Sequence, residues 1–103
     1  MPADSTVVTA REVMEAVRRL VADVLIVPLE LVEPDSVLAA DLGAESIDYL
    51  DLVFRLEDVV GRSIPISHWQ QYLNRRFGSA NLTEAITTRI VVEFALECRL
   101  APT

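Results

Sequence analysis

The eight residues Asp41-Leu42-Gly43-Ala44-Glu45-Ser46-Ile47-Asp48 set one serine just after a glycine-containing turn, with acids on both sides. Ser46 also heads a long apolar-and-acidic run. If that run is a helix, the serine hydroxyl sits at its N-terminus. The first backbone N–H groups of a helix have no internal partners, and the aligned peptide dipoles make that end positive. A phosphate ester on Ser46 would be well placed there. This chemistry is covalent attachment at Ser46, not nucleophilic attack by it. A nucleophilic serine needs a histidine and an orienting acid. The single histidine, His68, stands far along the chain with no such set in view. One cysteine, Cys98, and one histidine are also too few for a cysteine-rich metal site or a zinc site.

Positioning Ser46 takes a turn before it and a helix after it. The helix is predicted from Ser46 to Val60, ending at Gly61. Residues 28–44 hold Pro28, Pro34 and Gly43 and read as one long loop, with a turn around Pro34-Asp35-Ser36. Leu29, Leu31, Val37, Leu38 and Leu42 would pin that loop to the core. A loop this long in a small domain is usually functional. Upstream, Thr9-Ala10-Arg11-Glu12 has the form of a capping box. Val13, Val17, Leu20, Val21 and Val24 follow at helical spacing, and this first helix should stop before Pro28. Residues 1–8 read as a frayed tail. Downstream, residues 61–66 form a connection. Ser67 is expected to cap a third helix carrying Trp69, Tyr72, Leu73 and Phe77 as core residues, with Gly78 at its end. Thr83 is expected to cap a last helix over 83–100, with Ile86, Ile90, Phe94 and Leu96 inward. There is no internal repeat and no period-2 strand. The predicted fold is all-α: one domain over 1–103, a bundle of four main helices with a long loop between the first two and an extended C-terminal half.

The helix over 46–60 has too many apolar residues for one face. At about 100° per residue, Tyr49, Leu52, Val53, Leu56, Val59 and Val60 share one broad side, the expected core face. Ile47, Leu50 and Phe54 fall together on the opposite side. Asp51 and Asp58 border that stripe on one edge and Glu57 on the other, with Asp48 further round. Both faces could be core if other helices wrap around. Alternatively the stripe is exposed and acid-rimmed, which is a docking surface for a partner. The charge pattern favours docking. Residues 41–58 hold Asp41, Glu45, Asp48, Asp51, Glu57 and Asp58 against Arg55 alone, −5 of the chain's net −7. A helix N-terminus favours acids in its own right, but that does not account for Glu57 and Asp58 near the other end. Acidic rims raise association rates and select basic partners.

The overall charge of −7 makes nucleic acid and acidic membranes poor partners. All nine basic residues are Arg, from which no function follows. Apolar residues make up 51% of 103, enough for a modest core. No apolar run reaches membrane-spanning length and the start lacks a signal-peptide pattern, so a cytoplasmic domain is expected; a monomer is expected as well. Without such a signal, the sequon Asn81-Leu82-Thr83 carries little weight. Cys98 reads as a small buried hydrophobe. Arg75 and Arg76 could form ion pairs on a solvated face or hold a partner's acid.

The stretch 41–48 resembles the D-L-G-x-D-S-L-D signature of acyl carrier proteins. The likeness runs on through Leu52-Val53-Phe54-Arg55-Leu56-Glu57 to Ile64-Pro65, while the first helix and Glu33-Pro34-Asp35-Ser36 fit more loosely. The resemblance implies a four-helix carrier fold. It implies that Ser46 carries 4′-phosphopantetheine, attached by a separate phosphopantetheinyl transferase. The thiol at the end of that arm would hold acyl groups as thioesters for successive acyl-synthesis or acyl-transfer enzymes with basic patches. The carrier itself would catalyse nothing. Leu50 and Phe54, with Ile47, Asp48, Asp51, Glu57 and Asp58 around them, fall where the family meets its partners. Asp41 and Glu45 fall where it keeps acids near the transferase. Glu45 replaces the usual Asp, Ile47 the usual Leu, and Arg55 a small or apolar residue, changes that bear on which transferase and partners are accepted. The absence of a Gly-Gly-His pattern favours an acyl over a peptidyl carrier. The run Ile64-Pro65-Ile66-Ser67-His68-Trp69 and the enlarged C-terminal half resemble the specialised carriers of very long acyl chains for lipid A. Fatty acid or lipid biosynthesis is the expected role. A polyketide carrier and an unmodified helical interaction module remain alternatives.

Overall fold

Thr9 and Glu12 close a capping box at the head of the first helix. The Glu12 N–H donates to Thr9 Oγ1 at 3.1 Å and the Thr9 N–H donates to Glu12 Oε1 at 2.9 Å. In the computed structural model of the chain, which describes residues 9–78 and 84–100, this helix, α1, spans Ala10–Leu25. Four more follow: α2 (Leu38–Leu42), α3 (Ser46–Val60), α4 (Ile66–Phe77) and α5 (Thr88–Leu100). The predicted tail over 1–8, the sequon and the expected cap Thr83 lie outside the described residues. The fold is all-α, as expected. Among the described residues the only extended pairing is an isolated bridge between Val37 and Thr87.

Three boundaries differ from expectation. Residues 28–44 are not one irregular loop but hold a 3-10 turn over Leu29–Leu31 and the short helix α2. Helix α4 starts at Ile66, directly behind Pro65, not after Ser67. Proline suits a helix start because it has no N–H to leave unpaired. Helix α5 starts at Thr88, where Thr87 Oγ1 accepts the Ile90 N–H at 3.2 Å and so does the capping expected of Thr83.

The core follows the apolar spacing. Helix α1 packs against α3 and α5, and α3 also meets α4 and α5. Val13, Val17 and Val21 from α1, Leu52, Val53 and Leu56 from α3, and Val91, Phe94 and Ala95 from α5 are all buried. Trp69 and Tyr72 of α4 are buried beside Phe94, with ring centroids 4.9 and 5.2 Å from it. At the solvent edge Arg75 pairs with Glu97 at 2.6 Å and Arg76 pairs with Glu93, so both arginines are spent on bridging α4 to α5.

The segment ahead of α2 is held from two sides. The Arg18 guanidinium donates to the carbonyls of Val32 at 2.7 Å and Leu29 at 3.2 Å. Val32, not the expected Leu31, turns into the core here, and Leu31 is exposed. From the other side, Leu38 N–H donates to Ile86 O, Thr88 N–H to Ser36 O and Arg89 N–H to Pro34 O, at 2.9–3.1 Å. Arg89 also pairs with Asp35. This seam stitches the α1–α3 connection to the start of α5.

Helix α1 stops as predicted, before Pro28, through Ile26 in the left-handed region at φ 55°. A β-branched residue is strained there, and Ile26 is 88% exposed, so no packing offsets the strain. Ile26→Gly is therefore expected to raise stability by about 0.5–1 kcal/mol, read as a higher thermal midpoint in circular dichroism. A lower midpoint would show that the isoleucine side chain is held by something at that end of the helix.

Candidate functional site

Gly43 makes the turn that delivers Ser46. It closes α2 in the left-handed region, at φ 78°, where a side chain is disfavoured. Its N–H donates to Ala39 O at 3.1 Å and the next, Ala44, to Leu38 O at 2.9 Å, a double closure of the helix end. Two residues later α3 begins. Ser46 is its first residue, exposed, and no described residue hydrogen-bonds its hydroxyl.

The acids around Ser46 are structural as well as charged. Asp48 Oδ2 accepts the Glu45 N–H at 2.8 Å, which caps α3. Asp41 Oδ2 accepts the Val37 N–H at 2.8 Å across α2. Neither role was visible in the sequence reading, which placed acids there only for their charge. The missed signal is the spacing Glu45-x-x-Asp48, a capping-box pattern with acids in both places.

Helix α3 has two apolar faces, and the structure separates them. Leu52, Val53 and Leu56 are nearly inaccessible, and Tyr49, Val59 and Val60 are half-buried against them. Ile47, Leu50 and Phe54 are 69%, 53% and 70% exposed. The stripe is open, which rejects the reading in which both faces are core. Its rim is less free than its sequence suggests. Asp51 pairs with Arg55 at 2.9 Å, and Glu57 Oε2 accepts the Ile64 N–H at 2.8 Å, fixing the α3–α4 connection. Asp58 is exposed and makes no ion pair among the described residues.

Beside Ser46 lies a cavity of about 500 Å³. Leu50 and Ile66, both exposed, stand with Ser46 and Gln70 among its lining residues, and Trp69, Leu73, Ile86 and Ala39 supply apolar wall. Trp69 thus serves the core and the cavity at once. His68 and Cys98 do not line this cavity. Cys98 is buried, and burial pushes its thiol up, helped by the nearby Glu97 charge and opposed by Arg62. Among the described residues, no three or more His, Cys, Asp or Glu side chains gather as a metal ion would require. None of the described helices is long and apolar enough to cross a membrane.

A family model described as "Phosphopantetheine attachment site" matches residues 15–74, more than half the chain and inclusive of Ser46. The chain belongs to the acyl carrier protein family. It is 40% identical over 63 residues to an acyl carrier protein of Campylobacter hominis, covering 61% of this chain and 80% of that one. It is 43% identical over 54 residues to an acyl carrier protein of Thermosynechococcus vestitus, covering 52% and 67%. It is also 32% identical over 60 residues to the acyl carrier protein AcpXL of Mesorhizobium japonicum, covering 58% and 64%. The chain therefore spans just under two thirds of the length of that AcpXL relative. The family's group is covalent 4′-phosphopantetheine, and the residues here fit it. An exposed serine with an unengaged hydroxyl at a helix N-terminus suits a phosphodiester, and an apolar cavity adjoins it.

The two faces of α3 should separate in mutants. Phe54→Ala should change stability by no more than about 0.5 kcal/mol, as for other exposed positions. Leu56→Ala, at a site with no accessible surface, should cost about 2–5 kcal/mol. Urea denaturation of both variants checks this. Comparable losses would place Phe54 in the core.

Proposed function

We propose that this chain is an acyl carrier protein whose Ser46 takes phosphopantetheine from a separate transferase and which presents acyl groups to acyl-synthesis enzymes, catalysing nothing itself. The observation that carries this is the joint placement of Ser46 at the open head of α3, the exposed stripe Ile47–Leu50–Phe54 leading away from it, and the apolar cavity beside it. When bound, the group supplies a terminal thiol that holds acyl chains as thioesters.

The residues divide the work. The exposed N–H groups and dipole of α3 favour the negative phosphodiester. Glu45 immediately precedes Ser46 and Asp41 lies on α2 just ahead of the Gly43 turn; both are exposed and would meet an approaching transferase. Leu50 and Phe54 give a partner apolar contact, and Asp48, Asp51, Glu57 and Asp58 give it a negative field to follow. Arg55 narrows the partner set. A basic side chain seeking Asp51 must displace a guanidinium already bonded to it. The cavity wall built from Trp69, Leu73 and Ile86 belongs to the enlarged C-terminal half, which supports a long apolar cargo. Several of the similar proteins bear the name acyl carrier protein AcpXL, in keeping with the Ile64–Trp69 resemblance.

An unmodified interaction module would use the same stripe but has no need of an open serine or the cavity. Intact mass after incubation with coenzyme A and a broad-specificity phosphopantetheinyl transferase tests the carrier reading. The expected gain is one phosphopantetheine, absent in Ser46→Ala. A gain that survives in Ser46→Ala, or no gain with several transferases, would refute it. Thiol labelling gives a second check. Because burial keeps Cys98 protonated and shielded, the native unmodified protein should resist a thiol reagent at pH 8, while the modified protein should take up one equivalent on its arm.

A further inference from the structure

The residues lining the cavity sort by burial into a mouth and a floor. Ser46, Leu50, Ile66 and Gln70 are exposed and ring the opening. Trp69, Leu73 and Ile86 are only 4–6% exposed and close the inner side. Leu73 and Ile86 are smaller aliphatic groups, and Trp69 is the largest of the three. Its indole meets the Phe94 ring edge-on at 4.9 Å between centroids and lies nearly parallel to Tyr72, at 6.3 Å and 15°. Phe94 is 1% exposed and Tyr72 3%, so neither ring has room to give way. Tyr72 is itself held by Arg76, which donates to its hydroxyl at 2.9 Å and pairs with Glu93 of α5. An aromatic group wedged into a close-packed interior keeps its place. The inner wall of the cavity is therefore fixed at Trp69.

We propose that the Trp69 indole is the stop that sets how long an acyl chain the cavity takes. The inference rests on the carrier reading and adds the residue that decides among cargoes. A chain tethered through Ser46 enters past Leu50 and Ile66 and runs inward until it meets the indole. Each methylene that goes inside leaves water, so burial favours filling the cavity to its end. Beyond that length the next methylene must push a braced ring aside or stay out. Pushing disturbs three packed aromatic side chains at once, and overfilled interiors are destabilised. Staying out leaves the methylene at the mouth, where Leu50 and Ile66 are 53% and 38% exposed. The gain from lengthening therefore ends at a definite chain length, and the size of residue 69 fixes that length.

The test loads the full chain through Ser46 with straight acyl groups from hexanoyl to hexadecanoyl in two-carbon steps, beside an arm-only form. It does so in the parent, in Trp69→Leu and in Leu56→Ala. Intact mass confirms each loading, and each thermal midpoint is read against the same variant's arm-only form. The parent's midpoint should climb with chain length and then level off. In Trp69→Leu the climb should continue for at least one further step. The first chain past the parent's plateau should then gain about 3–6 °C more in the variant, what burying roughly one further CH₂ group is worth in a domain this small. Leu56→Ala removes core volume at a residue that does not line the cavity, and it should keep the parent's profile. Trp69 is the chain's only tryptophan, so its emission in the parent is a second readout that needs no variant. Quenching of that emission by acrylamide should fall as the chain lengthens and stop falling at the plateau. Four results would each overturn the proposal: a parent midpoint that is flat or never levels, the same plateau in Trp69→Leu as in the parent, an equal shift in Leu56→Ala, or Trp69 emission that ignores chain length. If Trp69→Leu does not fold, Trp69→Phe takes its place with the same expected direction. Failure of the parent to load would overturn the carrier reading and this inference with it, and the mass alone distinguishes that result.

Discussion

Burial of Leu52, Val53 and Leu56 between α1 and α5 fixes the rotation of α3 about its own axis, and the site depends on that angle. A helix is stiff, so once one face is buried the direction of every other side chain is set. The three residues are each no more than 3% exposed. Turning the helix by one residue would bring Leu52 or Val53 toward water and carry Phe54 toward the core. The same angle holds Ser46 clear of the bundle, sets Tyr49 against the cavity and keeps Ile47, Leu50 and Phe54 outward. Single exposed apolar residues are ordinary on protein surfaces, but three of them on one stripe of one helix are not. Core packing and the exposed apolar stripe are thus two consequences of a single constraint.

A second constraint explains the cavity. Helix α2 has five residues, too few to persist alone. It is held by buried Leu38 and by the backbone seam to residues 86–89. That seam also brings Ile86 into the cavity wall. The extended C-terminal half is therefore part of the site. It supplies Trp69 and Leu73 from α4 and Ile86 from the approach to α5, while the ion pairs of Arg75 and Arg76 keep α4 against α5.

What could be read from the sequence was what depends on local periodicity. The α1 capping box, the extent of α3 and its two-faced character all come from residues within a few turns of one another. The family motif added the chemistry of Ser46, which no periodicity contains. What escaped were features made by distant pairing. Helix α2 looked like loop because it is short and flanked by proline and glycine, and the partners that stabilise it lie near residue 87. Leu31 was misassigned for the same reason: Arg18, a distant residue, holds the carbonyls of Leu29 and Val32, and Val32 is the residue buried there. The start of α5 shifted because Thr83 and Thr87 both look like caps, and only the seam at Thr87 and Thr88 separates them.

The acids show how one group can serve fold and recognition together. Asp41 bonds the backbone N–H of Val37, Asp48 that of Glu45 next to Ser46, and Glu57 that of Ile64. These bonds fix where the charges stand without cancelling them. A partner meeting the surface therefore finds a field already in place and need not order these side chains on arrival. Such a field acts at a range of about 8 Å at physiological salt, far enough to steer an approaching basic patch but not to hold it alone. On the proposed reading, the exposed apolar stripe would supply the holding contact. The two roles of each acid are chemically separable. The amide isostere keeps an oxygen for the N–H and removes the charge, so asparagine at position 48 would retain the cap of α3 while deleting part of the field. Recognition lost under that change belongs to electrostatics, and stability lost belongs to the cap.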